Sequence, residues 1–121
     1  MLVLHLINKT PGADRSDGIW NVMFQFEKTD FVGIATNRDP MLAYTLAATF
    51  DGEDKDEAFR LTNSIEGPWF LSRDTNLAPT LISKRSTSVG DLLVHDHHVY
   101  VVAPVGFKQI DIAPGDVVHI Q

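Results

Sequence analysis

Short apolar runs separated by turn residues set the pattern of this chain. Leu2 to Ile7 is a compact apolar run closed by Asn8-Lys-Thr-Pro-Gly12, and its brevity, β-branched content and Pro-Gly stop predict a strand. An apolar strand left at an edge would template aggregation, so this one is expected to pair inside a sheet. In Ile19 to Phe26, the side chains of Val22, Phe24 and Phe26 alternate with Asn21, Met23 and Gln25, which reads as a second strand. A helix there would instead gather Ile19, Met23 and Phe26 on one face. Phe31 to Ala35 is another short apolar run, followed by Thr36-Asn-Arg-Asp-Pro40, a turn by composition. Tyr44, Leu46, Ala48 and Phe50 alternate with smaller residues; the second half of Met41–Phe50 is read as a strand ending at Asp51-Gly52, although its alanines also suit a helix.

The pattern changes period once. Over Asp54 to Ser64, Ala58, Leu61 and Ile65 form one inward stripe with Phe59 beside it, which predicts a helix. Asp54 stands at the cap position with Glu57 three residues on, the capping-box spacing, and Asp56 adds to the acidic first turn. The acidic stretch from Asp51 to Glu57 therefore has a structural explanation. Gly67-Pro68 stops the helix. Trp69-Phe70 leads into a polar loop running to Pro79, and Thr80 to Ser83 is read as a short strand. Asp91 to Val94 and Val99 to Ala103 make a hairpin about a polar tip. Phe107 to Ile112 alternates, Pro114-Gly115 turns, and Val117 to Ile120 is read as a last strand. Short strands, one firm helix and no βαβ rhythm predict an α+β fold: a single domain over residues 1–121, with a mostly antiparallel sheet, one or two helices and a C-terminal β-hairpin region.

Composition narrows the chemistry. The chain has 121 residues, enough for one self-supporting core, and 44% of them are hydrophobic, which argues against a wholly disordered chain. There is no cysteine, so disulfides, thiolate metal sites and cysteine nucleophiles are excluded. The net charge is -6, and among the ten Lys and Arg residues only Lys84 and Arg85 are adjacent. A phosphate-binding face needs clustered cations, so nucleic acid is not favoured as a partner. The apolar start lacks a cationic leader, and no run approaches the roughly 18 apolar residues of a membrane span. The expected location is the cytoplasm.

Three places could carry function. His95-Asp-His-His98 could supply metal ligands; on a strand His95 and His97 would share a face, giving half a zinc site. It lies at a hairpin tip, where solvated polar residues are ordinary, and no third ligand is named by spacing. Ser86, Thr87 and Ser88 beside Gly90 form a hydroxyl-rich loop that could hold an anion together with Lys84 and Arg85, although no Walker pattern is present. Its structural reading is a turn whose hydroxyls satisfy local backbone donors. Trp69 and Phe70, after Gly-Pro and before a long loop, read as surface anchors for a protein partner, whereas the other aromatics read as core. Asp91 and Asp116, each after a glycine, read as turn residues opening strands. No serine flanked by histidine and no nucleophile elbow is evident.

Three blocks in order carry a resemblance: Ala58-Phe-Arg-Leu-Thr-Asn-Ser-Ile-Glu-Gly-Pro-Trp69, then Arg85-Ser-Thr-Ser-Val-Gly-Asp91, then Tyr100 with Val105-Gly-Phe107. They resemble a family of small phage, plasmid and mobile-element proteins, and also the YodL-like domain, over residues 43–112. The resemblance implies an accessory protein of a bacterial host cell and assigns no catalytic residue and no cofactor. The expected function is that of a non-enzymatic protein-binding module. The alternative is small-ligand, nucleotide or nucleic-acid binding through Lys84, Arg85, Ser86 and Ser88. A third reading is a metal-dependent hydrolase at His95–His98.

Overall fold

The computed structural model describes residues 1–10, 22–63, 67–71 and 74–120. Its centre is a six-stranded antiparallel sheet: β1 (Leu2–Asn8), β2 (Leu42–Phe50), β3 (Leu77–Pro79), β4 (Leu92–Val94), β5 (Val99–Val102) and β6 (Phe107–Ile110), in the order β3-β2-β1-β4-β5-β6. Among the described residues, the helices α1 (Phe31–Ala35) and α2 (Lys55–Leu61) and a helical stretch at 22–24 lie between the strands. This is the α+β architecture expected from the pattern, and among the described residues no helix is long and apolar enough to cross a membrane.

The unbroken apolar run in β1 has a physical cause. Both faces of the sheet are covered, so successive side chains are buried whichever way they point. On one face Leu4, Leu6, Tyr44, Leu92, Val99 and Val101 pack with Val22, Phe26, Phe31 and Ile34. On the other, Val3, Ala47, Phe50 and Leu93 pack with Ala58, Trp69 and Leu77. The register between β1 and β2 slips between Val3 and Leu4, leaving Ala47 as an extra residue at a bulge.

Several expectations are corrected. Residues 22–24 are helical and Phe26–Lys28 is a 3-10 turn, not a strand. Val22 and Phe26, four apart, are buried, whereas Phe24 between them is 79% exposed, so the helical period prevails over the alternation. Residues 19–21 lie outside the described residues. The strand expected at Thr80–Ser83 lies three residues earlier, at Leu77–Pro79, an edge position that tolerates Pro79. All of Leu42–Phe50 is strand, not only its second half. Val117–Ile120 is not a strand: after a 3-10 turn at Pro114–Asp116 it makes isolated backbone bonds from Val118 N to Ala35 O and from Ile120 N to Tyr44 O. The helix expected over Asp54–Ser64 is α2, shorter by its last turn, with the Asp54 carboxylate accepting from the backbone N–H of Asp56 and Glu57. Glu57 pairs with Arg60 instead of completing a capping box. Ser64 and Ile65 fall outside the described residues.

Candidate functional site

The segment from Thr80 to Asp91 crosses the sheet face that carries Trp69 and α2. It leaves β3 at Thr80, whose N–H donates to Ala47 O (2.9 Å) and whose hydroxyl donates to Leu46 O (2.6 Å), at the bulge of β2. Leu81 then adopts φ 66°, a left-handed conformation unusual for a bulky side chain. This turn carries Ser83 over β2 to His5 on β1.

His5 stands in the middle of β1, fully buried. Its Nδ1 is 2.7 Å from Ser83 Oγ and its Nε2 is 2.9 Å from Thr87 Oγ1. The hydroxyl chain beyond fixes the tautomer. Thr62 donates to Ala58 O (2.8 Å) on α2, as a helical threonine does, so its oxygen accepts the Thr87 hydroxyl (2.7 Å). With its own proton engaged, Thr87 can only accept from His5, so Nε2 carries the hydrogen. Nδ1 is then a bare lone pair, and Ser83 donates to it. Burial holds His5 down to about 4, with the Arg85 charge adding to the shift and the Asp91 charge opposing it, so the ring is neutral at neutral pH.

Beside this chain lies a buried ion pair. Asp91 is fully buried and accepts from both terminal nitrogens of Arg85 at 2.6 Å, from Ser88 N at 2.8 Å and from Leu6 N at 2.7 Å. Arg85 in turn donates to Leu6 O at 3.0 Å. Pairing between β1 and β4 ends at Leu4 and Leu92. Leu6, two residues on, presents its N–H and C=O to the same edge, and the side-chain pair answers both where the neighbouring strand has ended. Asp91 is thus more than the turn residue expected from sequence. Its Oδ2 also lies 4.0 Å from Nε2 of His5. Tyr44, from β2, donates to Gly90 O at 2.7 Å, and burial pushes its hydroxyl far up, so it stays a donor.

The two binding candidates from sequence prove to be one locality. Trp69 Nε1 donates to the carbonyls of Lys84 (3.0 Å) and Arg85 (2.7 Å), its ring meets His5 edge-on, and Lys84 Nζ lies 5.4 Å from the Phe70 ring centre. Trp69, however, is only 3% exposed, which corrects its reading as a surface anchor: its indole is the pedestal of the loop. Phe70 is half-buried and Lys84 is exposed. Arg85 is engaged by Asp91, Ser86 lends Arg85 its carbonyl, and the Ser88 hydroxyl is 3.3 Å from Arg85 Nη1. Thr87 does not serve local backbone donors but reaches His5 and α2.

His95 to His98 form the hairpin tip, closed by His95 N to His98 O (2.8 Å). His95 lies 3.7 Å from Glu53, and His98 meets Gln109 at 3.1 Å. Among the described residues no group of three or more His, Cys, Asp or Glu is placed to hold a metal ion.

Sequence reasoning passed over His5, Ser83, Thr62 and Thr87 as a set, because their separations along the chain hide their contact. One signal was available: His5 is the only polar residue in a run otherwise apolar on both faces, and a buried imidazole requires partners. No family model, no curated protein and no solved structure matches the chain.

Proposed function

We propose that this protein is a binding module of the accessory type implied by the YodL-like resemblance, and that it engages a protein partner through the surface above Trp69. The observation that carries this reading is a set of apolar side chains left in water around one fastened junction. Leu71 (68% exposed), Leu81 (54%) and Ile82 (49%) flank Phe70 and Lys84, and the segments bearing them are tied together by the Trp69 indole. The exposed parts of these side chains gain nothing from folding, whereas a partner that covers them gains from their burial. Anion binding by the same loop is less well supported, because Asp91 already neutralises Arg85.

Trp69→Ala would test the core rather than the surface. The informative variants are Leu71→Glu and Ile82→Glu, compared with wild type by cross-linking and affinity capture in bacterial host lysate, with Phe24→Ser on the other sheet face as control. The expected outcome is one partner bound by wild type and the control and weakened about tenfold or more by either charged variant, with unchanged thermal unfolding. Equal capture by all four proteins, or no specific capture, would remove the proposal.

A further inference from the structure

We propose that Ser83 is a nucleophile, with Nδ1 of His5 as its base, and that the loop surface is an esterase-like site for carboxylic esters with an apolar acyl group. This goes beyond the binding role and does not depend on it. The geometry assembles three functions of acyl transfer from separate elements. Ser83, half-buried, directs its hydroxyl proton to the bare Nδ1 at 2.7 Å. The opposite ring nitrogen is fixed as N–H by the Thr87–Thr62–Ala58 chain, the tautomer-setting task that a third residue performs in serine hydrolases. The Asp91 carboxylate, 4.0 Å from that nitrogen, offsets part of the burial that disfavours the imidazolium formed in the reaction, tempered by Arg85.

Two further observations point to a ligand. Thr45 is paired with His5 across the β1–β2 ladder, so their side chains stand side by side on one face. Its hydroxyl is buried and has no hydrogen-bond partner among the described residues. An unpartnered buried hydroxyl beside a base is the kind of exception that catalytic sites carry. The second is Leu81: its left-handed backbone, two residues before Ser83, is the kind of local strain that accompanies functional sites, and Leu81 and Ile82 offer apolar surface next to the hydroxyl.

The step balances without any other reagent. Ser83 Oγ bonds to the ester carbonyl carbon as its proton passes to Nδ1; the ester C–O bond breaks, and the departing alkoxide takes that proton to leave as the alcohol. Water then attacks the acyl carbon, gives a proton to Nδ1, and Ser83 Oγ leaves with it.

The test uses the whole chain and a fluorophosphonate probe, in which Ser83 Oγ displaces fluoride from phosphorus. The expected result is one adduct, placed on Ser83 by peptide mass spectrometry, absent from Ser83→Ala and formed roughly a hundredfold more slowly in His5→Gln. No adduct on folded wild type, an adduct elsewhere, or undiminished labelling of His5→Gln would overturn the proposal. A nitrogen-detected NMR experiment on wild type is a second test, needing no variant. Hydrogen on Nε2 and a bare Nδ1 are expected for His5, and hydrogen on Nδ1 would rule out its role as base.

Discussion

A single imidazole couples the stability of this protein to acidity. His5 is lowered to about 4 from 6.5, chiefly by burial, and the charged groups facing it are Asp91 and Arg85. As pH falls below 6.5, the unfolded chain takes up a proton at this position while the folded chain does not. Stability therefore declines through that window and levels off once the folded ring also protonates, near 4. The full loss is about 3 kcal/mol, taking about 1.4 kcal/mol per pH unit. Urea unfolding at about pH 7 and about pH 4.5 should show most of this difference in wild type. His5→Gln, which keeps a donor and an acceptor but does not titrate, should flatten the slope over the same range.

Among the elements, the turn into β4 depends on one residue. Gly90 has φ +95°, donates its N–H to Val102 O and offers its carbonyl to Tyr44. A methyl group there would lie 2.9 Å from Val22 Cγ1 and 3.4 Å from Leu6 Cδ2. Gly90→Ala should thus cost about 2–3 kcal/mol, from backbone strain plus a core contact, read as a lowered urea midpoint with unchanged slope. The hairpin that follows was legible in sequence because its information is local: apolar runs on either side of a polar tip. The cap of α2 at Asp54 was legible for the same reason. The helical stretch at 22–24 was not, since both periods fitted the same aromatic residues and only tertiary burial of Val22 and Phe26 separates them. Trp69 was misplaced because its partners, two backbone carbonyls at Lys84 and Arg85, leave no mark in composition. The His5 cluster was invisible for the reason that binds it: β1 meets loop 80–91 through topology rather than spacing.

At the scale of the whole molecule, the Arg85–Asp91 pair locks the loop, β1 and the entry to β4 together. Asp91→Asn keeps the shape but leaves Arg85 without a counter-charge and weakens the acceptor that serves Leu6 and Ser88. It should lower stability by about 3 kcal/mol, measured by chemical denaturation, and the change should be greater than that of the exposed Arg60→Ala. The strand order has a consequence for biosynthesis. β1 lies between β2 and β4, so during translation one of its edges finds β2 early while the other waits until Leu92–Val94 has left the ribosome. Through that interval the nascent chain displays an apolar, half-satisfied strand, a template that a sister chain can join as readily as its own hairpin. The yield of folded protein is then governed by how fast the stretch between β2 and β4 is read: slow codons ahead of the β4–β5 hairpin would favour capture by chaperones or aggregates over closure of the sheet.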